Sequence, residues 1–390
     1  MPATLYFTFK SCAPACDRRH ARQRSPHYNW YYNYSPLGID LLRTHGGFEA
    51  PADFERWGDY LTRYVERIAR LAALDIRHGT RVVGIGRAII GRSDLIGANR
   101  RTFPFRLLLE GPDGQEDVLL AERVIDASGV RDAPLWVGEG RLPAINERAL
   151  RQRILHGACD LAARGDGFEA AMAVMLIRGL LDADPQGRLV FIDEQGRQPW
   201  IKNLKNDLFP RRVDFVKQAN AFLDSGHPHV EVHAETTIRR LDVEGTGLRV
   251  GLHGPRGNYS LRADHLVGAT GFTADDTLWR ELQIHQCYGT GAPMNTAGAM
   301  YDDILDFRYT PHAMGCDSLR TPEPGFYVLG SKSYGRNPGF SLHVGLGQVV
   351  GVFRDITGDP RLDLYVAVKD SPIPPEVVYL QACGTSKPTV

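Results

Sequence analysis

Apolar positions fall into two stretches of this chain that mirror each other. Phe105 to Gly129 reads FRLLLEGPDGQEDVLLAERVIDASG, and Leu248 to Gly271 reads LRVGLHGPRGNYSLRADHLVGATG. Each is an apolar strand, a G-P-x-G turn, a second strand, an acidic residue (Glu122 or Asp264) and a short apolar strand ending in A-S-G or A-T-G. Proline presets φ in a turn and glycine tolerates positive φ, so both stretches predict a hairpin leading into a buried strand. Val82 to Gly86, VVGIG, predicts the strand that opens the first meander, and Val230 to Val232 the strand that opens the second. VVGIG is not read as a phosphate loop, because bulky Ile89 stands where such a loop needs a small residue.

Between the two meanders the period changes from two to that of a helix. Ala162 to Glu194 reads ARGDGFEAAMAVMLIRGLLDADPQGRLVFIDE. Gly165, Gly167 and Ala170 form G-x-G-x-x-A, in which the glycines allow a tight turn and close backbone approach and the small third residue lets the helix pack on a strand. The following helix would present free N–H groups and its positive dipole end to a phosphate. Leu189 to Ile192 predicts a buried strand, and Asp193 and Glu194 follow where a ribose hydroxyl is usually held.

Outside the repeat, an aromatic run from Tyr28, YNWYYNYSPLGIDLL, leads into a helix predicted over Pro36 to Thr44. Asp53 to Leu74 predicts an amphipathic helix with Trp57, Tyr60, Leu61, Tyr64, Ile68 and Leu71 on one face. The aromatic cluster is read as packing, with a wall beside a flat cofactor ring as the alternative. Near the end, PGFYVLG (Pro324 to Gly330) predicts a buried strand. Ser341 to Ile356 predicts a helix whose N-terminus lies near Ser331 to Asn337.

Composition narrows the function classes. At 390 residues the chain is long enough for two or three domains. Lysine plus arginine equals aspartate plus glutamate at 46 each, which gives no charge argument for nucleic acid or a membrane. Hydrophobic residues make up 43% at a mean hydropathy of −0.27, and no apolar run approaches the ~20 residues of a membrane span, so a soluble protein is expected. The six cysteines form no C-x-x-C pair, and nothing at the N-terminus resembles a signal peptide; a cytoplasmic setting is expected. His227, His229 and His233 lack the company of a metal site, and no G-x-S-x-G marks a serine hydrolase. The expected partner is a small-molecule substrate, and the sequence specifies no oligomeric state.

The order of these motifs resembles that of flavoproteins with two dinucleotide-binding domains, the broad class of flavin-dependent monooxygenases and pyridine nucleotide-disulfide oxidoreductases. The resemblance implies an α/β fold of two Rossmann-like domains with β-meander insertions. It assigns 28–135 plus 272–368 to a discontinuous FAD-binding domain and 136–271 to an inserted NAD(P)H-binding domain, leaving an irregular 1–27 and a tail at 369–390. It implies FAD and NADPH or NADH as cofactors. Ser128 and Gly129 would end the strand leaving the FAD domain, Thr270 and Gly271 the strand leaving the nicotinamide domain. Gly330, Ser331 and Asn337 would set backbone against the flavin. Ser331 departs from the aspartate often found there. Gly165, Gly167, Ala170 and Asp193 would face the nicotinamide nucleotide, with Arg188 and Arg197 able to meet a 2′-phosphate.

Residues 1–27 contain no glycine, so the first G-x-G-x-x-G that the symmetry demands is missing. A truncated or mis-started front end is the favoured expectation. Without paired cysteines, the resemblance points to monooxygenation or simple oxidation of a small organic molecule rather than dithiol exchange. A degenerate, non-catalytic module binding a nucleotide or a protein is the alternative.

Overall fold

The computed structural model describes residues 30–51, 57–130, 132–156, 167–183, 186–205, 207, 209–301, 315–365 and 372–373. The chain divides into two compact units. An outer unit takes the chain up to Asp132 and from Thr273 onward, and an inserted unit is the continuous stretch Ala133–Phe272.

In the outer unit, Arg81–Arg87, Phe105–Glu110 and Glu116–Ala121 form a three-stranded antiparallel meander. Alternation sets its faces: Phe105, Leu107 and Leu109 are buried while Arg106 is exposed. Val124–Asp126 then pairs in parallel with Phe326–Val328, and all six residues are buried. Burial on both faces is what a parallel pair between layers requires. On one side Phe105, Leu107, Val124, Phe326 and Val328 pack with Trp279 and Leu282. On the other, Ile125, Tyr327 and Leu329 pack with Val344 and Val352 of the helix Leu342–Thr357.

The helix Pro36–His45 is capped by Ser35, whose Oγ accepts the Gly38 N–H, and proline occupies its first turn. Trp57–Tyr60, Leu61–Val65 and Glu66–Leu71 follow one another as helix, π-turn and helix. Tyr34, Tyr60 and Tyr64 pack on each other and on Ile39, Leu42 and Ile373. Tyr31, Tyr32 and Tyr34 of the aromatic run therefore belong to this core, where the Tyr64 hydroxyl accepts the Ser35 N–H at 2.7 Å and burial pushes its pKa up.

The inserted unit repeats the plan. Thr237–Glu244, Gly247–Gly254 and Gly257–Ala263 form its meander, and Leu266–Gly268 pairs in parallel with Ile154–His156. A second parallel pair joins Leu189–Ile192 to Val230–His233. The helices Gly167–Ala183 and Pro210–Leu223 share a core in which Ala171, Met172 and Val174 meet Val216, Ala219 and Phe222.

One local expectation needs correction, while both G-P-x-G turns close antiparallel hairpins as expected. Val230 to Val232 does not open the second meander; Thr237–Glu244 does, and Val230–His233 is instead a parallel neighbour of Leu189–Ile192. The apolar content suits either role, and only the pairing partner distinguishes them. The two G-P-x-G turns differ in their pairing. In the inserted unit Gly254 pairs with Gly257 directly, whereas in the outer unit the ladder resumes only at Glu110 with Glu116. The strand that precedes the helix Gly167–Ala183 is Ile154–His156. Gly165 and the segment 1–27 lie outside the described residues, as does 369–390 apart from 372–373. No helix among the described residues is long and apolar enough to cross a membrane.

Candidate functional site

In an α/β unit, ligands bind outside the carboxyl ends of the parallel strands. In the outer unit those ends are Asp126 and Val328, and the chain leaves them through two glycine-bearing loops. Gly129 has φ +76° and Gly330 has φ +74°, both in the region that favours glycine. A Cβ on Gly129 would lie 3.6 Å from Ser331 Oγ, whereas one on Gly330 would meet nothing within 4 Å. Ser128, Gly129, Gly330 and Ser331 are thus brought together around open backbone.

The loops are tied by a buried ion pair that the sequence reading passed over. Lys332 Nζ donates to Asp126 Oδ2 at 2.7 Å and to Ser128 Oγ at 3.0 Å. Both charged side chains are sealed, at 1% and 2% exposure. Trp279 Nε1–H donates to the same Oδ2 at 2.9 Å, and the Ser128 N–H and hydroxyl donate to Oδ1. Burial alone would raise the Asp126 carboxyl, but the Lys332 charge and the hydrogen bonds outweigh it and hold the group below its usual range. From the helix behind, buried Gln348 accepts the Gly330 N–H at 2.9 Å and donates to Ser333 Oγ at 2.8 Å. Asn337 is engaged locally: its Oδ1 accepts the Gly339 N–H and its Nδ2 approaches Met300 Sδ at 3.7 Å.

A second buried cluster is placed elsewhere in this unit. Glu323 accepts from Arg87 Nε at 2.8 Å, from Arg100 Nε at 3.0 Å and from the Gln283 N–H at 2.9 Å. Arg100 also donates to the carbonyls of Gly91 and Asp94. These bonds fasten the loop after Arg87 to the segment before Phe326.

In the inserted unit the carboxyl ends are His156 and Gly268, paired in register. Gly271 has φ +84° and its carbonyl accepts the Leu135 N–H; Thr270 Oγ1 donates to the Leu135 carbonyl at 2.7 Å. Gly167 begins the helix, and Ala170 packs against its core. Asp193 lies at the end of Leu189–Ile192, with Oδ2 accepting the N–H groups of Gln195 and Gly196. Glu194 lies 3.8 Å from Arg141, and burial pushes its carboxyl up. Arg188 is paired with Glu231. His156 has both ring nitrogens buried and, among the described residues, without a hydrogen-bond partner. His233, of the histidine string, meets the Tyr259 hydroxyl at 2.7 Å.

Lys332, Asp126 and His156 escaped the sequence reading. Lysine in a loop reads as solvated, and His156 sits in a three-residue strand too short to show a period. The one available signal was position, directly after or within the short apolar strands.

No family model matches the sequence, and no curated protein matches it. Solved structures do. One is the cadaverine monooxygenase of the desferrioxamine pathway from Erwinia amylovora, bound to FAD, with a TM-score of 0.53 at 13% identity over 91% of this chain and 95% of that one. Another is the bacillithiol disulfide reductase from Bacillus cereus, with a TM-score of 0.52 at 14% identity over 80% and 83%. Identities this low speak for the fold alone. The chain has the α/β fold of flavoproteins with two dinucleotide-binding domains.

Proposed function

We propose that this chain is an FAD-dependent oxidoreductase that draws electrons from NADPH, in preference to NADH, and acts on a small organic substrate as a monooxygenase. The carrying observation is the pair Gly129 and Gly330, both left-handed and the second open, just beyond the carboxyl ends of the outer unit's parallel strands. Side chains there would fill the space that a flat ring and its ribityl chain need, so the residues present fit the cofactor. Ser128, Gly129, Gly330, Ser331 and Asn337 would hold it. The two-electron redox chemistry would come from FAD when bound.

The chain's own residues have simpler tasks. Lys332 and Asp126 neutralise each other and keep the two loops in register, so that no free charge competes for the cofactor face. Gln348 fixes the Gly330 N–H and so its backbone direction. In the inserted unit, Gly165, Gly167 and Ala170 would let the helix N-terminus approach a pyrophosphate, with Thr270, Gly271 and Asp193 around the nucleotide. Among the described residues Cys287 and Cys316 are free thiols, and no C-x-x-C exists in the chain. The lack of a paired C-x-x-C favours an oxygen-using reaction over dithiol exchange. A cytoplasmic setting suits this reading.

The test is the absorbance spectrum of the purified chain after incubation with excess FAD and gel filtration, followed by anaerobic addition of NADPH or NADH. Retained flavin that NADPH bleaches faster than NADH supports the proposal. A colourless protein that also fails to shift its melting temperature with FAD overturns it. Oxygen uptake stimulated by a small amine such as cadaverine, and not by a disulfide, would support the monooxygenase assignment.

A further inference from the structure

One corner of the inserted unit holds polar groups that the protein itself leaves unused. His156 ends the strand Ile154–His156 opposite Gly268, and both of its ring nitrogens are buried without a partner among the described residues. Orphaned buried polar atoms are costly, so a fold that keeps two on one ring calls for another use of them. Gly268 is where elements converge: a Cβ there would lie 2.8 Å from Val137 and 3.1 Å from His156 Nδ1. Trp136, between Leu135 and Val137, is held at this corner because Leu135 exchanges hydrogen bonds with Thr270 and Gly271.

Arg151 lies on the Trp136 ring, its Cζ 4.8 Å from the centroid. Among the described residues no carboxylate or carbonyl takes its N–H groups. Nearby Glu147 cannot, being buried and committed to the N–H groups of Val137, Gly138 and Ala144. A guanidinium over an indole face and without a carboxylate partner keeps N–H donors for an oxyanion, which it can meet in a bidentate way. His156 feels this charge: burial first, then Arg151, holds its pKa below the usual value. The imidazole is therefore neutral near pH 7, with one nitrogen to donate and one to accept.

We propose that Trp136, Arg151 and His156 form a phosphate-recognising corner of the inserted unit's nucleotide site, which takes a phosphate group of a pyridine dinucleotide. The inference rests on the reading of this unit as the pyridine-nucleotide domain and adds residues outside its glycine motif. The anion is either the bridging pyrophosphate, common to NAD+ and NADP+, or the 2′-phosphate found only in NADP+.

The experiment is calorimetric titration of the full-length protein with NADP+, NAD+ and 2′,5′-ADP. Arg151→Gln removes the charge at similar size, Arg151→Lys keeps the charge without the fork, and His156→Phe removes the ring nitrogens. Arg151→Gln should weaken binding about tenfold, with Arg151→Lys between it and the wild type. Equal losses for NADP+ and NAD+ place the pyrophosphate at Arg151; a loss confined to NADP+ and 2′,5′-ADP places the 2′-phosphate there. His156→Phe should weaken nucleotide binding several-fold while the melting temperature without nucleotide stays the same or rises, an outcome that a merely structural histidine would not give. If the wild type binds and both Arg151→Gln and His156→Phe bind within twofold of it, this inference falls and the domain reading stands. If the wild type binds none of the three ligands, the domain reading falls and takes this one with it.

Discussion

Asp126 and Lys332 show how much a single buried pair can decide. Each charge is costly to remove from water, and each is tolerated because the other is there with Ser128 and Trp279 completing its hydrogen bonds. Lys332→Met strands the Asp126 carboxylate and should cost about 3–5 kcal/mol in urea denaturation, whereas Asp126→Asn with Lys332→Met should cost clearly less. The pH dependence has a definite sign. The folded-state pKa of Asp126 is depressed, so its contribution is complete above the ordinary carboxylate pKa and lost as pH falls through the lower folded value. Denaturation midpoints measured from pH 7 down past ~4 should show a fall that the double variant lacks. At this scale little was legible in the sequence. Gly330 and Ser331 could be singled out by resemblance, but Lys332 could not, because its partner lies 206 positions away and loop lysines ordinarily face water.

At the scale of elements, local pattern served better. The meander strands Phe105–Glu110 and Gly247–Gly254 were legible because one buried face enforces alternation. Parallel partners were not, since a continuous apolar run such as Val230–His233 fits any neighbour. The helix Pro210–Leu223 escaped notice despite proline in its first turn, its stripe being diluted by charged residues. Glycines separate into two kinds that only the fold distinguishes. A Cβ on Gly138 would sit 2.4 Å from the Leu142 carbonyl oxygen and 2.5 Å from the Ala144 nitrogen, both backbone. Gly138→Ala should destabilise by about 1–3 kcal/mol or more, as seen in thermal melts. Gly330→Ala meets no atom and should cost only about 1–2 kcal/mol for its positive φ, while Gly330→Val should in addition lose retained flavin with the fold intact. A Gly330→Val protein that keeps flavin as the wild type does would remove Gly330 from the site.

At the scale of the whole molecule, the repeat read from the sequence is the repeat of architecture: each unit sets a three-stranded meander beside parallel strands. The inserted unit carries its own core, in which Leu241, Leu248, Val250 and Leu252 pack with Ile154 and Leu266. Residues Ala133–Phe272 expressed alone should therefore fold cooperatively, giving a single melting transition and dispersed amide resonances. Molten behaviour would show that the unit leans on its host. Its two ends already meet, for Pro134 bridges to Phe272 and the Leu135 N–H donates to the Gly271 carbonyl. A segment drawn shut at the neck in this way can be transplanted as one uninterrupted length of gene. The host, split on either side of it, can only be inherited whole.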